Sequence, residues 1–274
     1  MAELQDKLIR ANGLMLHYLD WGNTGAMPVV LLHGICGQAH YWDFFAAAMR
    51  DDYHILAIDQ RGHGDSEWAQ SYKPADYVLD LDDFTAKLGI RDLVLIGHSM
   101  GGMNALLYAA RRPDQVAKLV IIDIGPEIGV SGIERILSQW NTVPQAFESL
   151  EEAARYMKQV EPRYSDAFVQ HELKYGLRRD EQGRFVPKYD KALQNTELRS
   201  PELLWGYLEQ TVCATLVLHG SESDILLPDV ARRMGDVLPF GSVVEIDRAG
   251  HSIPGDNPQA FEAAVRGFLE ERHN

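Results

Sequence analysis

A serine flanked by glycines stands out at residues 97–101, which read Gly-His-Ser-Met-Gly. The apolar run 93–96 before it is typical of a buried strand, and residues 102–110 after it have helical composition. A strand that turns tightly into a helix places Ser99 at the apex of the turn, where small glycines allow close approach of the backbone. The pattern predicts an accessible nucleophilic hydroxyl, which needs a base and an acid from elsewhere in the chain.

Two later strand ends supply candidates for the base and the acid. Apolar runs end at Leu218 and at Ile246, and the loops after them carry Asp224 and His251. Histidine suits the base because its ordinary pKa lies near neutrality, and a carboxylate on its other ring nitrogen fixes the tautomer. The chain order therefore predicts Ser99 as nucleophile, Asp224 as orienting acid and His251 as general base.

Asp123 is a second candidate for the acid, because it directly follows the apolar run 116–122. We favour Asp224, since its position in the chain order and the Gly-x-x-x-Asp loop at 220–224 fit the role better. His98, next to the nucleophile, is expected to face away from the pocket.

The loop at residues 33–37 reads His-Gly-Ile-Cys-Gly and follows a short apolar run. A glycine-bearing turn at a strand end can aim the backbone N–H of Ile35 at the serine, and the N–H of Met100 follows the serine directly. Two such donors stabilise the negative oxygen that forms when a hydroxyl attacks a carbonyl. We predict an oxyanion hole made by Ile35 and Met100, and expect Cys36 to fill space rather than act as a nucleophile.

Three side chains are candidate substrate contacts. Met103 lies one helical turn after the nucleophile, Trp42 follows the oxyanion loop, and His171 lies in the middle of the chain. Most of the other tryptophan and tyrosine side chains are expected to pack in the core.

Strand–helix alternation organises the first 126 residues and returns after residue 200. Such alternation is typical of a parallel sheet with helices on both faces, whose functional groups gather beyond the carboxyl ends of the strands. Residues 127–199 lack it and look helical, for example over 143–160. We predict a core domain of residues 1–126 and 200–274, with a helical cap insertion at 127–199.

A further motif at residues 59–66 reads Asp-Gln-Arg-Gly-His-Gly-Asp-Ser. It resembles the D-x-R-G-x-G-x-S turn of the α/β-hydrolase family. With residues 97–102, and with Gly250-His251 followed by Pro258 and an apolar helix, the chain resembles carboxylesterase-like serine hydrolases of this fold over nearly its whole length outside the cap. The resemblance implies a mostly parallel eight-stranded sheet with an antiparallel second strand, helices on both faces and a helical cap.

A serine in this turn indicates attack on an acyl carbon, whereas an aspartate there is used by dehalogenases and epoxide hydrolases of the same fold. We predict a carboxylic ester hydrolase that works through an acyl-enzyme and needs no cofactor and no metal. Two alternatives stay open: a C–C bond or lactone hydrolase of the same fold, and a ligand receptor with vestigial turnover.

Composition narrows the expected partners. The net charge is −14 without a Lys/Arg-rich run, which argues against nucleic acid and anionic membrane surfaces. The two cysteines lack the spacing of a zinc site. Residues 1–7 lack the apolar core of a signal peptide, so we expect a cytoplasmic protein that acts on a small-molecule ester. The oligomeric state is not readable from the sequence.

Overall fold

The computed structural model describes residues 4–195 and 200–271, and a large β-sheet is its central element. Within these residues eight strands form the main sheet and two short strands form a separate hairpin. In chain order the strands are β1 (Gln5–Ala11), β2 (Leu14–Asp20), β3 (Pro28–Leu32), β4 (His54–Ile58), β5 (Leu93–His98), β6 (Val116–Ile122), β7 (Leu177–Arg179), β8 (Phe185–Pro187), β9 (Ala214–Gly220) and β10 (Gly241–Ile246).

The strands of the main sheet lie in the order β1-β2-β4-β3-β5-β6-β9-β10. β2 pairs antiparallel with both β1 and β4, and every later pair is parallel. The mostly parallel eight-stranded sheet with an antiparallel second strand is therefore confirmed. β1 was not predicted from the sequence.

Helices cover both faces of the sheet. Four of them begin with a proline at their first position, where its missing N–H breaks no helical hydrogen bond. The described residues also contain two 3₁₀ turns, at Ala39–Trp42 and Lys191–Asn195. The helices are α1 (Asp43–Met49), α2 (Pro74–Leu88), α3 (Met100–Arg111), α4 (Val130–Thr142), α5 (Leu150–Val160), α6 (Asp166–Gly176), α7 (Pro201–Gln210), α8 (Pro228–Val237), α9 (Ile253–Asp256) and α10 (Pro258–Glu270).

Strand β5 is buried on both faces, which explains its continuous apolar sequence. Leu93 and Leu95 pack into the hydrophobic layer on one side of the sheet, and Val94 and Ile96 into the layer on the other. Each buried side chain of this size contributes about 1.5–3 kcal/mol by leaving water. The strand that leads to the serine is thus held firmly between two layers.

The segment between β6 and α7 contains α4, α5, α6 and the hairpin of β7 and β8. The helical stretch expected within 143–160 is α5, which begins after a cap at Ser149, whereas α4 ends before Pro144. Strand β8 pairs antiparallel with β7 to form the hairpin. The cap boundaries stay a prediction, and the ends of the predicted ranges at residues 1, 199 and 274 lie outside the described residues.

The turn at residues 59–66 ties the loop at 33–37 to the sheet. The Asp59 carboxylate accepts hydrogen bonds from the N–H of Ala39 at 2.6 Å and of Asp65 at 2.8 Å. Gly64 has φ +56°, and a Cβ there would collide with Asp59. The motif therefore needs its glycine, and its aspartate fixes the chain just after the loop at 33–37.

Candidate active site

Ser99 occupies the tight turn between β5 and α3, as the glycine pattern predicts. Its φ is +52° and its ψ is −120°, a conformation that side chains rarely adopt. A Cβ at Gly97 would collide with the carbonyl oxygen of Gly101, and one at Gly101 with that of Leu32. Because the backbone segments touch at both glycines, the turn accommodates no larger residue there.

Ser99 and His251 line the same cavity, which has a volume of about 280 Å³ and lies between the sheet and the cap. Among the described residues no hydrogen bond joins the Ser99 hydroxyl to the His251 imidazole. The cap side of the cavity is mostly apolar and includes Trp140, Val143, Phe147, Tyr156, Met157 and Tyr189.

The acid beside His251 is Asp123, at the end of β6. The Nδ1 of His251 donates to Oδ2 of Asp123 at 2.9 Å, and the Asp123 side chain is fully buried. The N–H of Gly220 donates to Oδ1 at 2.9 Å, and the Ser223 hydroxyl donates to Oδ2. Burial opposes ionisation of Asp123, but the imidazoles of His219 and His251 and the Gly220 N–H together hold its pKa below the ordinary value.

Asp224 does not reach His251, so the preference for it over Asp123 was wrong. Its carboxylate accepts two hydrogen bonds from Arg135 of α4, each of 2.7 Å, and these bonds hold its pKa low. The Asp224 backbone lies so close to α4 that a Cβ at Gly129 or Gly132 would collide with its carbonyl oxygen. Because the Asp224 backbone is held against α4, its side chain pairs with Arg135 of that helix.

The two predicted oxyanion donors lie beside the serine turn. A Cβ at Gly34 would come 3.3 Å from the Cβ of Ser99, so the loop after β3 packs directly on the turn. Ile35 lines the cavity, and Met100 begins α3, where the first N–H groups have no partner within the helix. The positions suit the predicted role, which itself stays a prediction.

The three predicted substrate contacts were wrong as lining residues of the cavity. None of them is among the described side chains that line it. Trp42 is fully buried in one hydrophobic layer, and Met103 packs against the other. His171 joins cap to core instead, with Nε2 lying 3.0 Å from the carbonyl oxygen of His40 and 3.2 Å from Oδ2 of Asp43.

His98 also differs from the expectation that it faces away, because it lines the cavity. Its Nε2 donates to the backbone oxygen of His251 at 2.9 Å, and the two ring centroids are 4.8 Å apart. Burial lowers its pKa to about 3, so the ring is neutral. His98 therefore positions the loop that carries His251, a role that the serine motif does not reveal.

Polar cap residues are the part of the site that sequence reasoning missed. Arg135, Glu161 and Glu172 all line the cavity. Burial raises the pKa of Glu161 to about 6 and that of Glu172 to about 7. No motif marks these residues, because their place depends on how the cap folds onto the core.

One group of potential metal ligands occurs within the described residues: His17, Asp59 and Asp65. The Asp59 oxygens already accept hydrogen bonds from backbone N–H groups and contact His17 at 2.7 Å, so the turn itself accounts for this group. None of the described helices has the length and apolar composition needed to cross a membrane. The cytoplasmic location stays a prediction.

Comparison with known proteins gives a consistent assignment. The sequence matches the family model described as the alpha/beta hydrolase family over residues 29–264. The 3-hydroxybutyrate-oligomer hydrolase of Cupriavidus necator is 28% identical over an alignment of 276 positions, and the alignment covers 92% of this chain and 92% of that protein. The sn-1-specific diacylglycerol lipase ABHD11 of Mus musculus is 30% identical over 268 residues, covering 95% of this chain and 86% of that protein.

A solved structure extends the likeness to the whole fold. The crystal structure of E-2-(acetamidomethylene)succinate hydrolase matches with a TM-score of 0.91, over 98% of this chain and 100% of that one. The two sequences are 21% identical, so this match concerns the fold alone.

Proposed function

Since the chain belongs to the alpha/beta hydrolase family, we propose that it hydrolyses carboxylic esters of small molecules. Ser99 is the nucleophile, His251 the general base and Asp123 the orienting acid. The observation that carries the proposal is the 2.9 Å contact between His251 and buried Asp123, at the cavity that Ser99 also lines. A lipase and an oligomer hydrolase among the relatives support hydrolytic chemistry.

Catalysis begins when His251 accepts the Ser99 proton on Nε2 and the serine oxygen bonds to the ester carbonyl carbon. Asp123 accepts the Nδ1–H throughout, which fixes the tautomer and stabilises the imidazolium. His251 then protonates the leaving alcohol, and the acyl group stays on Ser99. A water molecule deprotonated by His251 attacks the acyl-enzyme and releases the acid and the free serine.

The negative oxygen of each tetrahedral intermediate is held by the N–H groups of Ile35 and Met100. The N-terminus of α3 adds the positive end of its helix dipole at the same place. Preorganised donors of this kind contribute about 3–4 kcal/mol each to the lowering of the barrier in other acyl-transfer enzymes.

The cap side of the cavity suits an apolar acyl or aryl group. Its aromatic and aliphatic lining removes such a group from water, and its volume fits a small ligand. An ester with an unbranched acyl chain of intermediate length is therefore the first substrate to test.

The test follows p-nitrophenol release from p-nitrophenyl hexanoate. We expect a rapid burst followed by steady turnover, and a loss of kcat of about 10³-fold or more in Ser99→Ala. The matched control, Ser131→Ala, changes an exposed serine of α4 and should keep wild-type rates. Undiminished hydrolysis by Ser99→Ala contradicts the proposal, and turnover of a lactone or a β-diketone without any ester turnover redirects it to those bonds.

A further inference from the structure

Acidic side chains outnumber basic ones, counted as lysine and arginine, along the cavity wall that the structure describes. Of the lining side chains that the structure describes, Arg135 is the one lysine or arginine, whereas Glu161 and Glu172 are both carboxylic acids. Arg135 gives two hydrogen bonds to Asp224, which lies outside the cavity, and its charge also acts on Glu161. A substrate in this cavity therefore meets two carboxyl groups without an uncommitted guanidinium or ammonium group among these lining residues.

Glu172 of α6 extends from the cap toward Gln38 in the loop before α1. The Nε2 of Gln38 lies 3.3 Å from its Oε1 and 3.5 Å from its Oε2. The charged groups nearest to it are His171 on the same helix and Asp43 of α1, and these two contact each other at 3.2 Å. The imidazole that could offset the charge of Glu172 is thus already paired with another carboxylate.

Glu161 lies on the other side, next to the catalytic loop. Its Oε2 accepts a hydrogen bond of 3.4 Å from the hydroxyl of Ser252, the residue after His251. A carboxyl group therefore lines the cavity both on this side and at Glu172.

Tyr41 forms part of the cavity wall beside the serine turn. Tyr41 lines the cavity, is 7% exposed and stacks on His98 next to the nucleophile. Its hydroxyl is fully enclosed and lies next to that of Tyr164, which also lines the cavity. The two phenols bring no positive charge to this part of the wall.

On the basis of the ester hydrolysis proposed above, we propose that Glu172 and Glu161 make this cavity selective for substrates whose polar substituent is neutral or cationic, against those that carry a carboxylate. Like charges repel strongly in a partly enclosed cavity, because little water screens them. In contrast, a neutral polar group can form a hydrogen bond with the Glu172 carboxyl, and an ammonium group is attracted to its ionised form. Placement of unlike or like charge commonly decides specificity in this way.

The experiment compares three p-nitrophenyl esters of equal chain length: the hexanoate, the mono-ester of adipic acid and the 6-(trimethylammonio)hexanoate. Values of kcat/KM at pH 8 are divided by the rate of uncatalysed hydrolysis of each ester. We expect the adipate to be at least about tenfold poorer than the hexanoate, and the ammonium ester to match or exceed the hexanoate.

Glutamine variants of Glu172 and Glu161 test whether these two carboxyl groups cause the selectivity. Glu172→Gln removes the charge but keeps the size of the side chain. It should lower the ratio of corrected kcat/KM for hexanoate to that for adipate at least about fivefold. Adding Glu161→Gln in a double variant should lower this ratio further. The control Glu151→Gln removes an exposed carboxylate of α5 and should leave the ratio unchanged. Equal use of adipate and hexanoate by the wild type, or an unchanged ratio in the double variant, overturns the inference.

Failure of the proposed function is recognised separately. Calorimetric titration of Ser99→Ala with the same three esters gives an affinity order that needs no turnover. The order with adipate weakest supports the selectivity even if the wild-type protein cleaves no ester. Adipate bound as tightly as hexanoate overturns it even if Ser99-dependent cleavage is fast.

Discussion

Two aspartates occupy matching places at the ends of neighbouring strands, yet they have different surroundings. Asp123 follows β6 and Asp224 lies in the loop after β9, and the two strands pair directly. Asp123 is fully buried and bonded to His251, whereas Asp224 is about one-third exposed and paired with Arg135. A strand end thus brings a carboxylate to the correct edge of the sheet, but the groups around it decide what it contacts.

The loop after β9 shows this difference most clearly. It supplies hydrogen-bond donors to Asp123, from Gly220 and Ser223, and it turns Glu222 and Asp224 toward the cap, where they pair with Arg163 and Arg135. The loop that was expected to carry the acid instead supports an acid on the neighbouring strand.

The largest expected effect comes from exchanging each aspartate for asparagine. Asp123→Asn should lower kcat for p-nitrophenyl hexanoate by about 10³–10⁴-fold, because the amide no longer holds the His251 tautomer. Asp224→Asn should change kcat less than about tenfold, since Asp224 contacts neither His251 nor Ser99. Steady-state kinetics of the two variants measure this directly, and a reversed order would return the acid role to Asp224.

A smaller effect is expected from Ser223→Ala, which removes one donor from Asp123. The carboxylate then stabilises the imidazolium of His251 more strongly, so the acidic limb of the kcat/KM profile should move to higher pH, with a loss of kcat of about tenfold or less. Ser221→Ala is the control on the same loop as Ser223, because its hydroxyl accepts from the N–H of Arg248 in the loop after β10 and makes no hydrogen bond to Asp123. A profile that does not move would mean that Ser223 only supports the loop.

The smallest effect concerns the ion pair of Asp224. Arg135→Met and Asp224→Asn, combined in a double-mutant cycle of urea unfolding, should give a coupling free energy of at most about 1 kcal/mol, because both partners are about one-third exposed. A coupling well above this value would show that the pair is central to stability rather than a contact between cap and core.

The fold and half of the site follow from local patterns. The glycines at 97 and 101 predict the serine turn because backbone contact leaves no alternative, and the apolar run of β5 predicts a doubly buried strand. The choice between Asp123 and Asp224 was wrong because both follow apolar strands, and chain order contains no information on the burial of a side chain. The cap contacts were missed for a similar reason: Glu161 and Glu172 reach the cavity only through the way in which three helices and a hairpin pack over it.

The conformation of Ser99 has a cost outside catalysis. Backbone angles like these raise the energy of a side-chain-bearing residue by about 1–3 kcal/mol, which is a large part of the 5–15 kcal/mol that separates a typical folded domain from its unfolded chain. The firm packing of β5 and the contact of Gly101 with Leu32 hold the turn in place against this tendency to relax. Retaining a serine in this conformation therefore works against thermal stability, and replacing this one serine with glycine should raise the free energy of unfolding.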